Sequence, residues 1–359
     1  MIEQLAQYVA IPSVSGNEAV LAGMIAERLA DAGLVVRREG NNLWTEIGDA
    51  PQPRLLFNSH LDTVSPGNGW TADPWTPRRE NNRLIGLGAN DAKGCATAMI
   101  EAALEMQRSL NAGRRIGGTL ILALTAEEET AGEGLAEIVD RLRPLDAAVV
   151  GEPTGLVPIS AQRGLLILRG VARGRTSHPA NTPPEEARNA IVAAAEDVLR
   201  LREFDWGPIH PRLGRAHANI TIIQGGIAHN VIPDACEFCL DVRTTPLESH
   251  AALFARLNEF LQSELTVRSD RLVPVETPED SPIVRAASAA AGERPPAGSP
   301  TMSDMVFLAG TPAVKIGPGQ SIRSHTPDEY ILESELIEGA AAYIAIIRSY
   351  FSAAGETMT

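Results

Sequence analysis

Short apolar runs recur along the chain, and several of them are followed at once by acidic residues or histidine. Such runs, bounded by turn residues, are typical of buried strands. In an open α/β sheet, ligands bind outside the carboxyl ends of parallel strands, so we expect the residues that follow these strands to meet in one crevice. Four runs lead to Glu127-Glu128-Glu129, His60-Leu-Asp62, Glu152 and His325.

The three adjacent carboxylates Glu127-Glu128-Glu129 follow an apolar run that begins at Ile121. Adjacent carboxylates repel one another, and burial of a charge costs several kcal/mol unless an opposite charge is near. A cation is therefore expected at the end of this strand. Histidine and carboxylate side chains that meet at one point are typical ligands of a metal ion.

Strands and helices alternate over residues 1–160 and again over 276–359, which predicts an α/β domain with a mostly parallel sheet. Helical periodicity over residues 17–33 predicts an early helix, with Ser15 or Asn17 as its N-cap.

The pattern changes between residues 161 and 275, where strand, helix, two strands, helix and strand follow one another. This is the ferredoxin-like order, and it predicts an α+β domain inserted into the first. The predicted elements lie at 165–173, 184–202, 218–224, 236–243, 247–263 and 271–275.

The composition excludes several classes of protein. The chain has 359 residues, 44% apolar and 21% charged, which is ordinary for a globular protein. Its net charge of −14 argues against nucleic acid and anionic membranes as partners. No signal peptide and no run of the roughly 18 apolar residues of a membrane span is evident. Three cysteines suit a reducing compartment, so we expect a cytoplasmic protein.

Each candidate residue also has an ordinary interpretation. His60-x-Asp62 alone could be a hydrogen-bonded surface pair, although it is also typical of a bound imidazole oriented by a carboxylate. Asp91 could be a helix N-cap, and the glutamate run could be a solvated turn before a helix. Five candidate ligand positions, each near the end of an apolar run, are improbable as coincidence, so the joint pattern favours a metal site.

Five ordered motifs resemble the acetylornithine deacetylase and succinyl-diaminopimelate desuccinylase branch of the M20 dinuclear zinc peptidases. The resemblance implies a zinc-binding catalytic domain, residues 1–160 and 276–359, with an inserted lid or dimerisation domain, residues 161–275. The motifs are His60-Leu-Asp62, Gly88-Ala-Asn-Asp91-Ala-Lys-Gly94, Thr125-Ala-Glu-Glu128-Glu129, Gly151-Glu152-Pro153-Thr154 and Ser324-His325-Thr326-Pro327-Asp328-Glu329.

The resemblance implies two zinc ions, which cobalt could replace, bridged by Asp91. His60 and Glu152 would complete one ion, and Glu129 and His325 the other. Glu128 would be the general base, and Asp62 would orient His60. The family commonly has Asp-Glu-Glu where this chain has Glu127-Glu128-Glu129, so Glu127 is the alternative base if the register differs.

In the inserted domain, the resemblance implies that His178 faces the tetrahedral oxyanion, supplied by the partner subunit in dimeric members. Asn230 and Arg243 resemble residues that bind the substrate carboxylate and scissile carbonyl, and Arg163 resembles a further anion contact. Without the resemblance, His178 could be a surface histidine and Arg243 an exposed strand end.

The predicted function is metal-dependent hydrolysis of the amide bond of a small N-acyl amino acid, most simply deacetylation of N-acetylornithine in arginine biosynthesis. Gly151-Glu152-Pro153-Thr154 and the His325 motif favour the deacetylase, whereas Gln162-Arg163-Gly164 favours a desuccinylase of succinyl-diaminopimelate or succinylornithine. A dipeptidase or aminopeptidase, or an inactive binding relative, are the further alternatives. The predicted assembly is a homodimer through the inserted domain.

Overall fold

The computed structural model describes residues 1–130 and 133–357, with side chains to residue 353. It forms two compact units. The first unit comprises Met1–Ser160, Thr277–Ala297 and Ser303–Thr359, and the second comprises Ala161–Glu276 and Gly298–Met302. The role of the second unit as a lid or dimerisation domain stays a prediction.

The helices and strands follow one another in a mixed α/β order. They are α1 Ile2–Val9, α2 Ala19–Asp31, β1 Val36–Glu39, β2 Asn42–Gly48, β3 Arg54–His60, β4 Arg78–Glu80, β5 Arg83–Ile85, α3 Lys93–Asn111, β6 Thr119–Thr125, α4 Glu133–Leu142, β7 Ala147–Val150, β8 Ile159–Gln162, β9 Gly164–Arg173, α5 Ala190–Arg200, β10 His217–Gly225, β11 Ala235–Thr244, α6 His250–Phe260, β12 Glu264–Leu272, β13 Val275–Glu276, α7 Pro282–Ala290, β14 Ala297–Ser299, β15 Ala313–Lys315, β16 Tyr330–Leu332 and α8 Glu333–Thr357.

The centre of the first unit is a sheet in which β6, β3, β7 and β15 lie side by side and run parallel. Strands β1 and β2 extend it on one edge in antiparallel pairing. Every residue of β6 is buried, as expected of a central parallel strand covered on both faces. The predicted fold class is confirmed, and the carboxyl ends of β6, β3 and β7 lie at one edge of the sheet.

Helix α3 packs against β3, β6 and α8 in the core of the first unit. Its sequence is rich in alanine, methionine and leucine, which are strong helix formers, and its small side chains allow a close approach to the sheet. The ring of Phe57 on β3 meets the ring of Tyr343 on α8 edge to face, 5.5 Å between centroids. This core holds the strand that ends at His60 in place.

The second unit contains a four-stranded antiparallel sheet in the order β10, β11, β9, β12. That spatial order agrees with the predicted ferredoxin-like topology. Alternate residues of β11 are buried, Cys236, Phe238, Leu240 and Val242 among them, so one face of the sheet carries the core. Helix α5 packs against β9 and β11.

Two local predictions were wrong. The last strand of the second unit begins at Glu264 rather than at residue 271, because the Asp197 carboxylate accepts hydrogen bonds from the amides of Gln262 and Ser263 and starts the strand early. Helix α2 begins at Ala19 and its N-cap residue is Glu18, so neither Ser15 nor Asn17 caps it. The Ser15 hydroxyl donates to Asp62 instead, 2.6 Å away.

No helix within residues 1–130 and 133–357 is long and apolar enough to cross a membrane.

Candidate metal centre

His60 ends strand β3 and is almost fully buried. Its Nδ1 lies 3.0 Å from the backbone oxygen of Asp62, which can only accept, so Nδ1 carries a proton. Its Nε2 lies 3.2 Å from Oδ1 of Asp91. In neutral imidazole, Nε2 is an acceptor as well, so a proton or a cation must lie between these two atoms.

Asp91 lies between two histidines. Its Oδ1 faces His60, and its Oδ2 lies 3.8 Å from Nε2 of His325. The Asp91–Ala92 peptide bond is cis. The backbone amides of Asn90 and Asp91 both donate to Oε1 of Glu329, at 2.8 and 2.9 Å. A buried carboxylate therefore holds the segment that places Asp91.

His325 and Glu129 form the second histidine–carboxylate pair, with Nε2 and Oε1 2.8 Å apart. The His325 side chain is 51% exposed, and its φ of +59° lies in the left-handed region. The hydrogen bond to Glu129 raises the pKa of His325 to about 9. Glu129 thus holds a proton on this imidazole that a cation could replace.

The ligand atoms of the predicted residues converge in two overlapping groups. One atom each from His60, Asp91 and Glu129 lie within 4.8 Å of one another, and so do one atom each from His60, Glu128 and Glu152. His325 joins the first group through Glu129. The structure therefore brings together all five predicted ligands and the predicted base, although their roles stay predictions.

The electrostatics of the centre suit a cation. Burial and then the neighbouring Asp91 raise the pKa of Glu152 to about 8. Burial and then Glu152 raise the pKa of Glu128 well above its usual range. Burial alone lowers the pKa of His60, but hydrogen bonds to Asp62 and Asp91 raise it well above its ordinary value. Positive charge beside Glu128 and Glu152 would therefore favour their ionised forms.

The donor set fits divalent metal ions. Imidazole nitrogen and carboxylate oxygen atoms are the ligands that zinc and similar cations accept in open sites. His60 presents Nε2 toward the group because Nδ1 is bound to a carbonyl, which is the arrangement that orients a metal-binding imidazole.

Asp62 is fully buried and supports the acidic turn as well as His60. Its Oδ1 accepts from the amide of Glu128 at 3.1 Å, and its Oδ2 accepts from the amide of Glu129 at 3.0 Å. Burial alone raises the pKa of Asp62, but hydrogen bonds, that of His60 foremost, lower it. The carboxylate is therefore charged and accepts from three different segments.

Sequence reasoning missed three buried ionisable residues around this group. Glu329 holds the Asp91 segment, and its place in the His325 motif was the signal that could have found it. Lys315 is a lysine inside the apolar strand β15, where burial lowers its pKa and Glu152 and Glu128 act against that shift. Asp304 accepts from Thr125 Oγ1 at 3.1 Å, and no sequence pattern identified it.

In the second unit, the predicted residues form two sets at opposite ends of the sheet, Arg163 with Arg243 and His178 with Asn230. Arg163 is buried and donates to the carbonyls of Arg215, at 2.9 Å, and Leu213, and both its burial and Arg243 lower its pKa. Arg243 is paired with Asp241 at 2.7 Å. His178 and Asn230 are exposed. Their segments lie together because the amide of Ile232 donates to the carbonyl of Ser177 at 2.8 Å.

A protein-family comparison agrees with this geometry. Residues 56–349 match the model of peptidase family M20/M25/M40. The chain belongs to this family, whose members hydrolyse amide bonds with the help of metal ions. The predicted family and the predicted class of enzyme are confirmed.

Two curated relatives carry different names. An acetylornithine deacetylase of Edwardsiella ictaluri is 31% identical over 359 residues, which cover 90% of each chain. A succinyl-diaminopimelate desuccinylase of Nitrosococcus oceani is 30% identical over 280 residues, which cover 73% of each chain. The comparison with relatives leaves the acyl group open.

Solved structures share the fold. An aminopeptidase from Bacillus cereus matches with a TM-score of 0.80 and 23% identity, over 97% of both chains. A dinuclear metal binding peptidase of the M20 family from Bacillus subtilis matches with a TM-score of 0.73 and 19% identity, over 97% of this chain and 96% of that one.

We expect Asp62→Ala to weaken divalent-metal binding by about 10- to 100-fold, because the carboxylate orients the candidate ligands through His60 and the amides of residues 128 and 129. Competition with a chromophoric chelator measures the affinity. Asp140→Ala, at a 93% exposed position on α4, is the control and should bind metal as the unchanged protein does. Equal affinity in both variants would show that Asp62 does not support the metal ligands.

Proposed function

We propose that this protein is a zinc-dependent deacylase of small N-acyl amino acids, with N-acetylornithine as the favoured substrate. The observation that carries the proposal is the convergence of two histidines and four carboxylates at the carboxyl edge of the parallel sheet. An ordinary surface cluster would not bury so many like charges, since each costs several kcal/mol without a counter-charge.

Five residues would hold two zinc ions, for which cobalt could substitute. Asp91 lies between His60 and His325 and would bridge the ions, with Glu152 beside His60 and Glu129 beside His325. When bound, such a pair of ions lowers the pKa of a water molecule and polarises an amide carbonyl. The metal-binding peptidase from Bacillus subtilis, which is named as dinuclear, supports the number of ions.

Glu128 would be the general base. It lies next to the candidate ligand Glu129. Its backbone amide donates a hydrogen bond to Asp62, which fixes the position of the backbone that carries the Glu128 side chain. A carboxylate there can take a proton from the attacking water and pass it to the leaving amine. Burial raises the pKa of Glu128, which favours holding that proton until the amine leaves.

Glu128→Gln should retain two metal ions per chain and lose nearly all turnover, by a factor of about 10² to 10⁴, because glutamine cannot accept the proton. Amine release measures turnover, and mass spectrometry of the dialysed protein counts the metal ions.

Glu127→Gln is the matched control. Glu127 lies near Glu18, Glu133 and Glu137, and burial together with these acids raises its pKa. We expect its loss to leave turnover within about threefold. If Glu127→Gln were inactive and Glu128→Gln active, the general base would be Glu127 and not Glu128.

Substrate recognition would use the two arginines of the second unit. In the part of the chain that the structure describes, Arg163 donates to backbone carbonyls and pairs with no carboxylate. A buried guanidinium without an acidic partner suits a substrate carboxylate, and its planar fork binds carboxylates better than lysine does. Arg243 would contact the substrate as well. His178 and Asn230 lie at the opposite end of the sheet, so in the proposed dimer they would reach the substrate bound by the partner subunit, where His178 would face the oxyanion.

The second candidate is an N-succinyl amino acid desuccinylase. Arg163 favours it, because a succinyl group carries an additional carboxylate that a guanidinium without an acidic partner could bind. The deacetylase stays first because Gly151-Glu152-Pro153-Thr154 and the His325 motif favour it, since curated relatives of both kinds match over about 90% of the chain. The three cysteines are free thiols, which supports a cytoplasmic enzyme of amino-acid biosynthesis, arginine biosynthesis for the favoured substrate.

The zinc-loaded protein should release amine from N-acetylornithine at least tenfold faster, in kcat/KM, than from N-succinyl-diaminopimelate. N-succinylornithine and a simple dipeptide are assayed alongside. A preference for both succinyl compounds would replace the deacetylase with the desuccinylase, and a preference for the dipeptide would favour a peptidase. No turnover of any amide by the metal-loaded protein would favour an inactive binding relative.

A homodimer through the second unit is proposed from the open edge of its sheet. Within the described residues, β10 pairs with β11 on one side and with no strand on the other. Ile222 and Ile223 on this strand are about half exposed, and the side chain of Ile191 on α5 lies beside Gly225 at the end of β10. An apolar edge strand that is left open is a template for pairing with a second chain.

Ile223→Lys should convert the dimer to a monomer at micromolar concentration, because a charge at the strand edge opposes pairing. Light scattering after gel filtration measures the mass. Val20→Lys, at an exposed position on α2 in the first unit, is the control and should leave the mass unchanged. If the protein without substitutions is already a monomer, the proposed homodimer is wrong.

A further inference from the structure

The turn that follows β6 is held by side chains from three distant segments. Residues 126–129 leave the sheet after Thr125, so their amides no longer pair with a neighbouring strand. Each of the four amides donates to a side-chain oxygen instead. Ala126 donates to Asn42 Oδ1 at 2.9 Å, Glu127 to Glu18 Oε1 at 3.2 Å, Glu128 to Asp62 Oδ1 at 3.1 Å and Glu129 to Asp62 Oδ2 at 3.0 Å.

Glu18 is the one charged acceptor among these that contacts neither a candidate metal ligand nor the candidate base. Its side chain is fully buried, and it accepts from the amide of Gly16 at 2.7 Å and from Nδ2 of Asn41 at 2.9 Å, besides the amide of Glu127. It therefore joins the start of α2, the turn between β1 and β2, and the acidic turn.

The position of Glu18 is electrostatically unfavourable. Among the described residues, no lysine, arginine or histidine forms an ion pair with it, and its neighbour Glu127 is also acted on by the charges of Glu133 and Glu137. A buried carboxylate in an acidic neighbourhood is tolerated only when hydrogen bonds satisfy it. Three donors from three segments do so here, which indicates that the connection itself matters.

The hydrogen bond from Glu127 lies at the point where the turn changes direction. Glu127 has a φ of +58°, in the left-handed region that residues with a side chain rarely adopt. Such a conformation costs on the order of 1–3 kcal/mol and persists where its surroundings hold it. The next residue is Glu128, so the conformation of Glu127 sets where the Glu128 side chain begins.

We infer that Glu18 is a positioning residue for catalysis, which acts by holding the Glu127 amide and through it the carboxylate of Glu128. The inference rests on the proposed role of Glu128 as base. A displacement of about 1 Å at a reacting group can lower a rate about 100-fold, so the loss of this contact is expected in kcat rather than in KM.

The test uses the zinc-loaded full chain with three substitutions of Glu18, assayed for kcat, KM, bound metal and melting temperature. Glu18→Ala removes the acceptor and should lower kcat about 10- to 100-fold, with KM within about twofold and both metal ions retained. Glu18→Gln keeps the reach and an acceptor oxygen but loses the charge, and it should stay within about fivefold of the unchanged protein.

Glu18→Asp keeps the charge, but its side chain is one methylene shorter and does not reach the Glu127 amide. We therefore expect kcat to fall by about tenfold or more. If Glu18→Ala does not fold, the kcat of Glu18→Asp tests the inference instead. An active Asp variant beside an inactive Gln variant would show that charge, not position, is needed and would overturn the inference. A loss of kcat that follows the loss of metal would overturn it as well.

Asp197→Ala is the matched control for a purely structural effect. Asp197 is also a buried carboxylate that accepts from backbone amides, those of Gln262 and Ser263, but it lies in the second unit. Its loss should lower the melting temperature and leave kcat unchanged at a temperature well below unfolding. If Glu18→Ala shows the same behaviour, Glu18 has a structural role only and the inference fails.

The assay of Glu128→Gln separates this inference from the proposed function. If Glu128→Gln is inactive while Glu18→Ala keeps full kcat, the base stands and only the positioning role fails. If Glu128→Gln keeps full turnover, the base is elsewhere, and a positioning role that acts through Glu128 fails with it.

Discussion

Repulsion between carboxylates is the constraint on which the candidate site depends. Asp91, Glu128, Glu129 and Glu152 lie at one edge of the parallel sheet, and the carboxyl ends of its strands deliver three of them. Burial and mutual repulsion raise the pKa of Glu152 to about 8. Two histidines and the buried Lys315 offset part of this negative charge. Divalent cations would offset the rest, and this requirement favours a metal site at this edge.

Backbone amides are the second means by which the chain tolerates its acids. Asp62, Glu18 and Glu329 are all buried, and each accepts hydrogen bonds from amides of the turns that carry Glu128, Glu129 and Asp91. These three carboxylates face the backbone rather than the expected ions. Each satisfied hydrogen bond to a charged group contributes roughly 1.5–3 kcal/mol. The residues that hold the site in place are thus acidic like the candidate ligands, and both groups contribute to the net charge of −14.

The second unit shows the opposite balance. Its candidate residues Arg163 and Arg243 are cationic, and Arg163 donates to two backbone carbonyls and has its Nη1 3.3 Å from Nδ1 of His217. Carbonyl dipoles orient a guanidinium but do not neutralise it, so the remaining charge suits an anionic group of a substrate. The acidic first unit and the basic residues of the second thereby divide the proposed work into the binding of cations and the binding of a carboxylate.

The sequence by itself determined the α/β class, the ferredoxin-like order and the candidate residues of the metal centre, because apolar periodicity and strand-end chemistry are local patterns. It misplaced the last strand of the second unit, whose start depends on the distant Asp197. Only the tertiary structure decided which acids face the centre and which support it. Glu18 and Glu127 are separated by 109 residues, and Asn90 and Glu329 by 239. Lys315 is likewise an unexpected charge in an apolar strand. The pairing of β15 with β7 explains it, because Glu152 follows β7. Hydrogen bonds and charge pairs between such distant segments leave no periodic trace, since they depend on how the strands pack and not on the spacing of residues.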